Sequence, residues 1–280
     1  MEKILVPTDF SEYAVQATHT AVQLAAKTGA QIILFNNVDA IIDWNSMTHK
    51  EHQKYPEILG KTTQAQVKLE KMMKSNLFKN VKVEKVLTHG VTYEEIVMTA
   101  RRKGVDLIVM GTHGNEGSGK YFIGSTAQKV MREATCPVLS IKKNAEVKRW
   151  KSVVFPASFE EDLREPFEHI RKLALELGAV IHLLFVNTPA HFKDTRTALK
   201  QINAFASRYK GVKFHAAIFN HFEMEAGIME FAEGIKADWL AMATHNRRHV
   251  PKYNIGITET LVYRSEIPVL SVTIPAKHLK

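Results

Sequence analysis

Residues 107–126, Leu-Ile-Val-Met-Gly-Thr-His-Gly-Asn-Glu-Gly-Ser-Gly-Lys-Tyr-Phe-Ile-Gly-Ser-Thr, hold the residue types best suited to chemistry in this chain. The chemistry they suit is the holding of phosphate. Gly111 and Gly114 let a backbone approach an anion closely. Gly124, Ser125 and Thr126 open a helical pattern continued by Ala127, Val130, Met131 and Ala134. The unpaired N–H groups of a helix start, aided by the helix dipole, point at an anion, and the two hydroxyls add donors. A competing pattern lies in the same stretch. Gly114-x4-Gly119-Lys120 is one residue short of a Walker loop, and Tyr121 stands where that motif needs a hydroxyl to hold Mg²⁺.

These residues need elements to position them, and the flanking chain supplies a strand–helix alternation. Leu107 to Met110 reads as a short buried strand that delivers the loop. Upstream, Lys3 to Pro7 is a first strand, ended by the proline. Thr8-Asp9-Phe10 follows, and Ser11 caps a helix running to about Lys27, which Gly29 stops. Gln31 to Val38 is a second, doubly buried strand. Residues 39–56 carry no period. They contain Trp44, His49 and His52 and read as a solvent-exposed loop, because His49-x2-His52 finds no second pair to complete a metal site. Residues 57–75 read as a helix, Val81 to Val86 as a third strand and Thr92 to Lys103 as a helix ended by Gly104. Pro137 to Ile141 reads as a fifth strand. Such alternation predicts a parallel sheet with helices on both faces. Ligands of these sheets sit beyond the carboxyl ends of the strands, at a switch point. Thr8-Asp9, Val38 and the glycine loop all lie at carboxyl ends, and they share one crevice if the first and fourth strands are neighbours.

After a polar connector from Lys142 to Lys151 the pattern begins again. Phe155-Pro-Ala-Ser-Phe159 echoes Val6-Pro-Thr-Asp-Phe10, and the run Ala237 to His245 echoes Val105 to His113. Ile267-Pro-Val-Leu-Ser271 echoes Cys136-Pro-Val-Leu-Ser140. A whole domain is duplicated, which predicts domains at 1–145 and 146–280. The copies differ in chemistry. Ala243 stands at the place of Gly111, Asn246 at Gly114, Ile257 at Ser125 and Ser158 at Asp9, while Gly256 alone keeps its place. Arg247, Arg248, His249, Pro251 and Lys252 fill the second loop, so its glycine cradle is degenerate.

Composition excludes some classes. The excess charge of +9 is shared almost evenly by the halves and comes without a nucleic-acid-binding signature, so nucleic acid is not the expected partner. No apolar run reaches the ~18–20 residues of a membrane span. The opening Met-Glu-Lys-Ile-Leu-Val-Pro has no leader pattern, and the single cysteine, Cys136, forms no internal disulfide; both fit a cytoplasmic protein. Cys136, next to Pro137 and an apolar run, reads as a buried structural thiol.

The spacing Gly111-x2-Gly114-x9-Gly124-Ser125, with the Val6-Pro-Thr-Asp9 opening, resembles the ATP-binding universal stress proteins. The resemblance reaches both halves and is that of a tandem member. It implies two open five-stranded parallel sheets, Rossmann-like, with strand order 3-2-1-4-5. It implies fifth strands that pair across a domain dimer, here between the halves of one chain, with a homodimer as a further arrangement. It also implies a regulatory protein partner. By the same resemblance, Asp9 meets ribose or the adenine side, Pro7 and Thr8 line the pocket, and Val38 meets adenine through its backbone. Met110 and Gly111 lie beside ribose. His113, Gly114, Gly124, Ser125 and Thr126 surround the phosphates, with Mg²⁺ carried by the nucleotide.

The function expected is therefore an ATP-dependent regulatory module of the stress response. An adenylating enzyme would need a Ser-Gly-Gly-x-Asp-Ser loop after the first strand, and Pro7-Thr-Asp-Phe-Ser11 does not supply one. No nucleophile–base pair or paired carboxylates can be assigned, so catalysis beyond slow ATP hydrolysis is not expected. A ligand-free scaffold is the remaining alternative.

Overall fold

The computed structural model describes residues 1–40, 44–113, 123–145, 149–160, 162–245 and 256–274. The chain divides into two compact units, Met1–Lys143 and Asn144–Lys280.

In the first unit β1 (Lys3–Pro7), β2 (Gln31–Val38), β3 (Val83–His89), β4 (Leu107–Gly111) and β5 (Val138–Ile141) form a parallel sheet in the order β3-β2-β1-β4-β5. Ile4 and Leu5 of β1 pair with Leu107 and Ile108 of β4, so the first and fourth strands are neighbours. The sheet alternates with α1 (Glu12–Thr28), α2 (His49–His52), α3 (Pro56–Met73), α4 (Thr92–Lys103) and α5 (Ser125–Glu133). Ile4, Leu5, Leu34, Ile108, Val109 and Leu139 are all buried, as strands covered on both faces require.

Local chemistry fixes the helix ends. Ser11 accepts the Ala14 N–H to cap α1, and Gly29, at φ 76°, ends it in the left-handed conformation that glycine adopts without strain. Gly104, at φ 59°, ends α4 in the same way.

Two expectations need correction. The third strand spans Val83–His89 rather than residues 81–86. As an edge strand it takes its extent from pairing with β2, from Ile32 opposite Val83 to Val38 opposite His89, and not from its own alternation. Nor is the segment after β2 wholly an exposed loop. His49 and His52 lie on α2, whose start is fixed by Glu51: its Oε2 accepts the Thr48 N–H and hydroxyl, each at 2.7 Å. Trp44, buried, stacks on His52 with ring centroids 4.0 Å apart and on His89 at 5.3 Å.

The second unit repeats the plan. It contains β6 (Ser152–Pro156), α6 (Arg164–Leu177), β7 (Val180–Asn187), α7 (Thr195–Ala206) and β8 (Lys213–Asn220). It continues with α8 (Met224–Gly234), β9 (Trp239–His245), α9 (Ile257–Arg264) and β10 (Val269–Ile274). Its sheet runs β8-β7-β6-β9-β10, the same order. The amino ends of both sheets share one device. Oδ2 of Asp106 accepts the N–H groups of Glu2 and Lys3 at 2.6 and 2.9 Å. Oδ2 of Asp238 accepts those of Lys151 and Ser152 at 2.7 and 2.9 Å. In return the Asp106 N–H donates to the Lys3 carbonyl and the Asp238 N–H to that of Ser152.

Candidate functional site

The candidate residues gather at the carboxyl ends of β1, β2 and β4 in the first unit. Pro7 ends β1 half-buried, and Thr8 behind it is buried. The Thr8 N–H donates to the Phe35 carbonyl at 2.8 Å, and its own carbonyl accepts from Nδ2 of the buried Asn36 at 2.7 Å. The head of β1 is thereby fastened to β2. Asp9 is exposed, and its Oδ1 accepts the Ser11 N–H at 3.0 Å, which orients the carboxylate at the start of α1. Between them Phe10 adopts φ 65°, a costly left-handed conformation for a bulky residue. The matching Phe159 of the second unit has φ 60°, so this strain belongs to the strand-to-helix turn rather than to a ligand.

Val38 is buried at the end of β2, and its carbonyl accepts the Gly90 N–H at 3.2 Å. Beyond it stands the Trp44–His52–His89 stack. Nε2 of His89 lies 2.9 Å from the Thr62 hydroxyl. Burial pushes the His89 pKa below the usual imidazole value, and His52 adds to the effect. The neutral ring is therefore favoured.

Met110 is buried, and Gly111 is the last residue of β4. A Cβ on Gly111 would lie 2.7 Å from the Tyr13 Cβ and 2.9 Å from the Tyr13 carbonyl carbon. This glycine is therefore required by the packing of α1 on β4, whatever else it serves. Half-buried His113 packs on the Tyr13 ring, centroids 5.0 Å apart, and its Nδ1 lies 3.0 Å from the Thr112 hydroxyl. Gly114 lies outside the described residues, as do Lys120 and the segment 246–252 of the second unit.

At the far side of the loop Gly124 is the N-cap of α5. Among the described residues no side chain caps this helix, and its first turn contains no acidic residue. Ser125 is exposed, and Gly124 and Thr126 are half-buried. The Gly124 N–H donates to the Thr112 carbonyl at 2.8 Å, which joins the two ends of the loop. The N–H of Thr112 donates to the Ile141 carbonyl at 3.0 Å, anchoring the junction to β5. The arrangement is an accessible, uncapped helix start with two hydroxyls, suited to an anion. It also stands beside the strand that delivers Asp9.

Sequence reasoning missed Tyr13 and Thr112. Tyr13 gives no signal, since a tyrosine early in a helix is ordinary. Thr112 was readable as the residue directly between the end of the fourth strand and His113. Among the described residues no group of three or more His, Cys, Asp or Glu is arranged to hold a metal ion, and no helix is long and apolar enough to cross a membrane. Cys136 keeps some exposure, yet burial pushes its thiol pKa up to about 12.

A model of the universal stress protein family matches residues 1–142. Universal stress protein MJ0531 of Methanocaldococcus jannaschii is 33% identical over 142 residues, covering 51% of this chain and 82% of that protein. Universal stress protein YxiE of Bacillus subtilis is 32% identical over 145 residues, 50% of this chain and 98% of that one. The crystal structure of a universal stress protein from Archaeoglobus fulgidus superposes with a TM-score of 0.75 over 97% of this chain and 98% of its own. At 17% identity that likeness speaks for the fold, and it extends through both units.

Proposed function

Because this chain belongs to the universal stress protein family, we propose that it is a nucleotide-dependent regulatory module that binds one ATP per chain in its first unit. The observation that carries the reading is the junction at Thr112. Its carbonyl accepts the Gly124 N–H, so the open start of α5 stands directly beyond β4, next to the strand bearing Thr8 and Asp9. An uncapped helix start without acidic side chains fits a phosphate group.

In this reading Gly124, Ser125, Thr126, His113 and Gly114 attend the phosphates, and Mg²⁺ arrives with the nucleotide. Asp9 attends the ribose or the adenine side, and Met110 and Gly111 lie beside the ribose. Pro7 and Thr8 line the pocket, and the Val38 backbone meets the base. The Trp44–His52–His89 stack forms an aromatic boundary past Val38. The second unit keeps the sheet and lacks the cradle, with Ala243 and Ile257 in place of Gly111 and Ser125. Titration calorimetry with ATP and Mg²⁺ tests the reading. One site per chain is expected; two equivalent sites, or no heat of binding, would overturn it.

A further inference from the structure

The helix starts of the two units differ in one decisive respect. In the first unit the Gly124 N–H donates to the Thr112 carbonyl, and the residue at the third helical position is Ala127. In the second unit the corresponding Gly256 N–H donates instead to Oε2 of Glu259, the third residue of α9, at 2.7 Å. Gly256 has no side chain, so only this half of a capping box exists. Glu259 is 8% exposed, and Thr258 beside it is equally buried. A charged side chain is seldom so buried without serving a local electrostatic role. Here the carboxylate sits at the positive end of a helix dipole.

We propose that Glu259 is the residue that closes the second unit to phosphate: its carboxylate is a built-in anion at the start of α9. The proposal rests on the reading of the α5 start as a phosphate site. A covalently attached carboxylate competes at an effective concentration that a dissolved ligand seldom matches. An incoming phosphate would have to displace a buried group and would meet a like charge if it did not. Nucleotide binding is one-sided, then, because one helix start is already supplied with a carboxylate while, among the described residues, the other is not.

Hydrogen exchange on the full-length chain tests this, comparing the wild type with Glu259→Ala in sodium phosphate and in sodium chloride of equal ionic strength. In the wild type the Gly256 amide, whose N–H Glu259 accepts, should exchange at the same rate in both salts. In Glu259→Ala it should exchange at least about fivefold faster in chloride, the loss expected for one removed hydrogen bond. Phosphate should restore much of that protection. Unchanged exchange in the variant, or a loss that phosphate relieves no better than chloride, overturns the proposal. Should Glu259→Ala fail to fold, Glu259→Gln keeps an acceptor and removes the charge. Phosphate should then raise its melting temperature further than that of the wild type, since the α5 start is the same in both, and equal responses would count against the proposal. Protection of the α5 start by ATP is read from the same spectra. Its absence would count against the nucleotide reading alone, while the phosphate effect at α9 still decides the role of Glu259.

Discussion

Gly111 and Tyr13 are in contact through their main chains: a Cβ on the glycine would stand 2.7 Å from the Tyr13 Cβ and 3.1 Å from its carbonyl oxygen. The neighbour is backbone inside α1, which cannot swing aside as the end of a flexible side chain would. Gly111→Ala should therefore destabilise the first unit by ~1–3 kcal/mol, as overpacking does. Urea denaturation measures this, and a variant as stable as the wild type would show that α1 is free to shift away from β4.

Gly124 has an ordinary backbone, φ −56° and ψ 139°, which any L residue adopts. Gly124→Val should keep the fold and place a branched side chain where phosphate approaches. ATP affinity should fall at least tenfold, or ~1.4 kcal/mol. Ser125→Ala should weaken binding more than Lys120→Ala, because the hydroxyl acts at the helix start while the lysine belongs to the imperfect Walker pattern. Affinities measured side by side in the opposite order would favour a Walker-type site.

His89 ties stability to pH. Its folded pKa is depressed, first by burial and then by His52. Above the unfolded value of ~6.5 the ring is neutral in both states and the stability is fully present. As pH falls below that value the unfolded chain takes up the proton first, and stability declines until the folded pKa is passed. His182 gives the second unit a similar dependence, pushed down by burial and by His215. Melting temperatures between about pH 7.5 and 5 should drop less steeply in His89→Gln than in the wild type. An identical slope would remove His89 as a source.

Cys136, with its thiol pushed up to about 12, holds almost no thiolate at neutral pH. Iodoacetamide should leave it largely unmodified in the native chain and label it promptly in denaturant. Rapid labelling of the folded protein would contradict its desolvation.

Much of the fold was readable because its punctuation is local. Ser11, Gly29 and Gly104 act within one helical turn, so α1 and α4 follow from the sequence directly. The second strand was readable because its run Ile32 to Phe35 is continuously apolar. The edge strand β3 was not, since its partner sets its ends. The segment around His52 carried a usable signal, Thr48-x-x-Glu51, that the absence of a hydrophobic period obscured. At the site, the chain order brings Thr8, Asp9 and the glycine loop to carboxyl ends. The closure of the loop by Thr112 and Gly124, the packing of Tyr13 beneath Gly111 and the stack on Trp44 depend on tertiary approach, which spacing alone does not encode.

The aspartate clasps at Asp106 and Asp238 have a consequence for how such a chain changes over time. Each grips the amino end of a five-residue strand whose carboxyl end, roughly 16 Å away, feeds the loop at the head of the sheet. After duplication, one copy could lose its cradle by drift while its foundation kept the same hydrogen bonds, because the two ends share strands and no side chains. The same separation makes the second unit a natural recipient for transplanted loops: a new crevice can be written at its head without disturbing the bonds that hold its base.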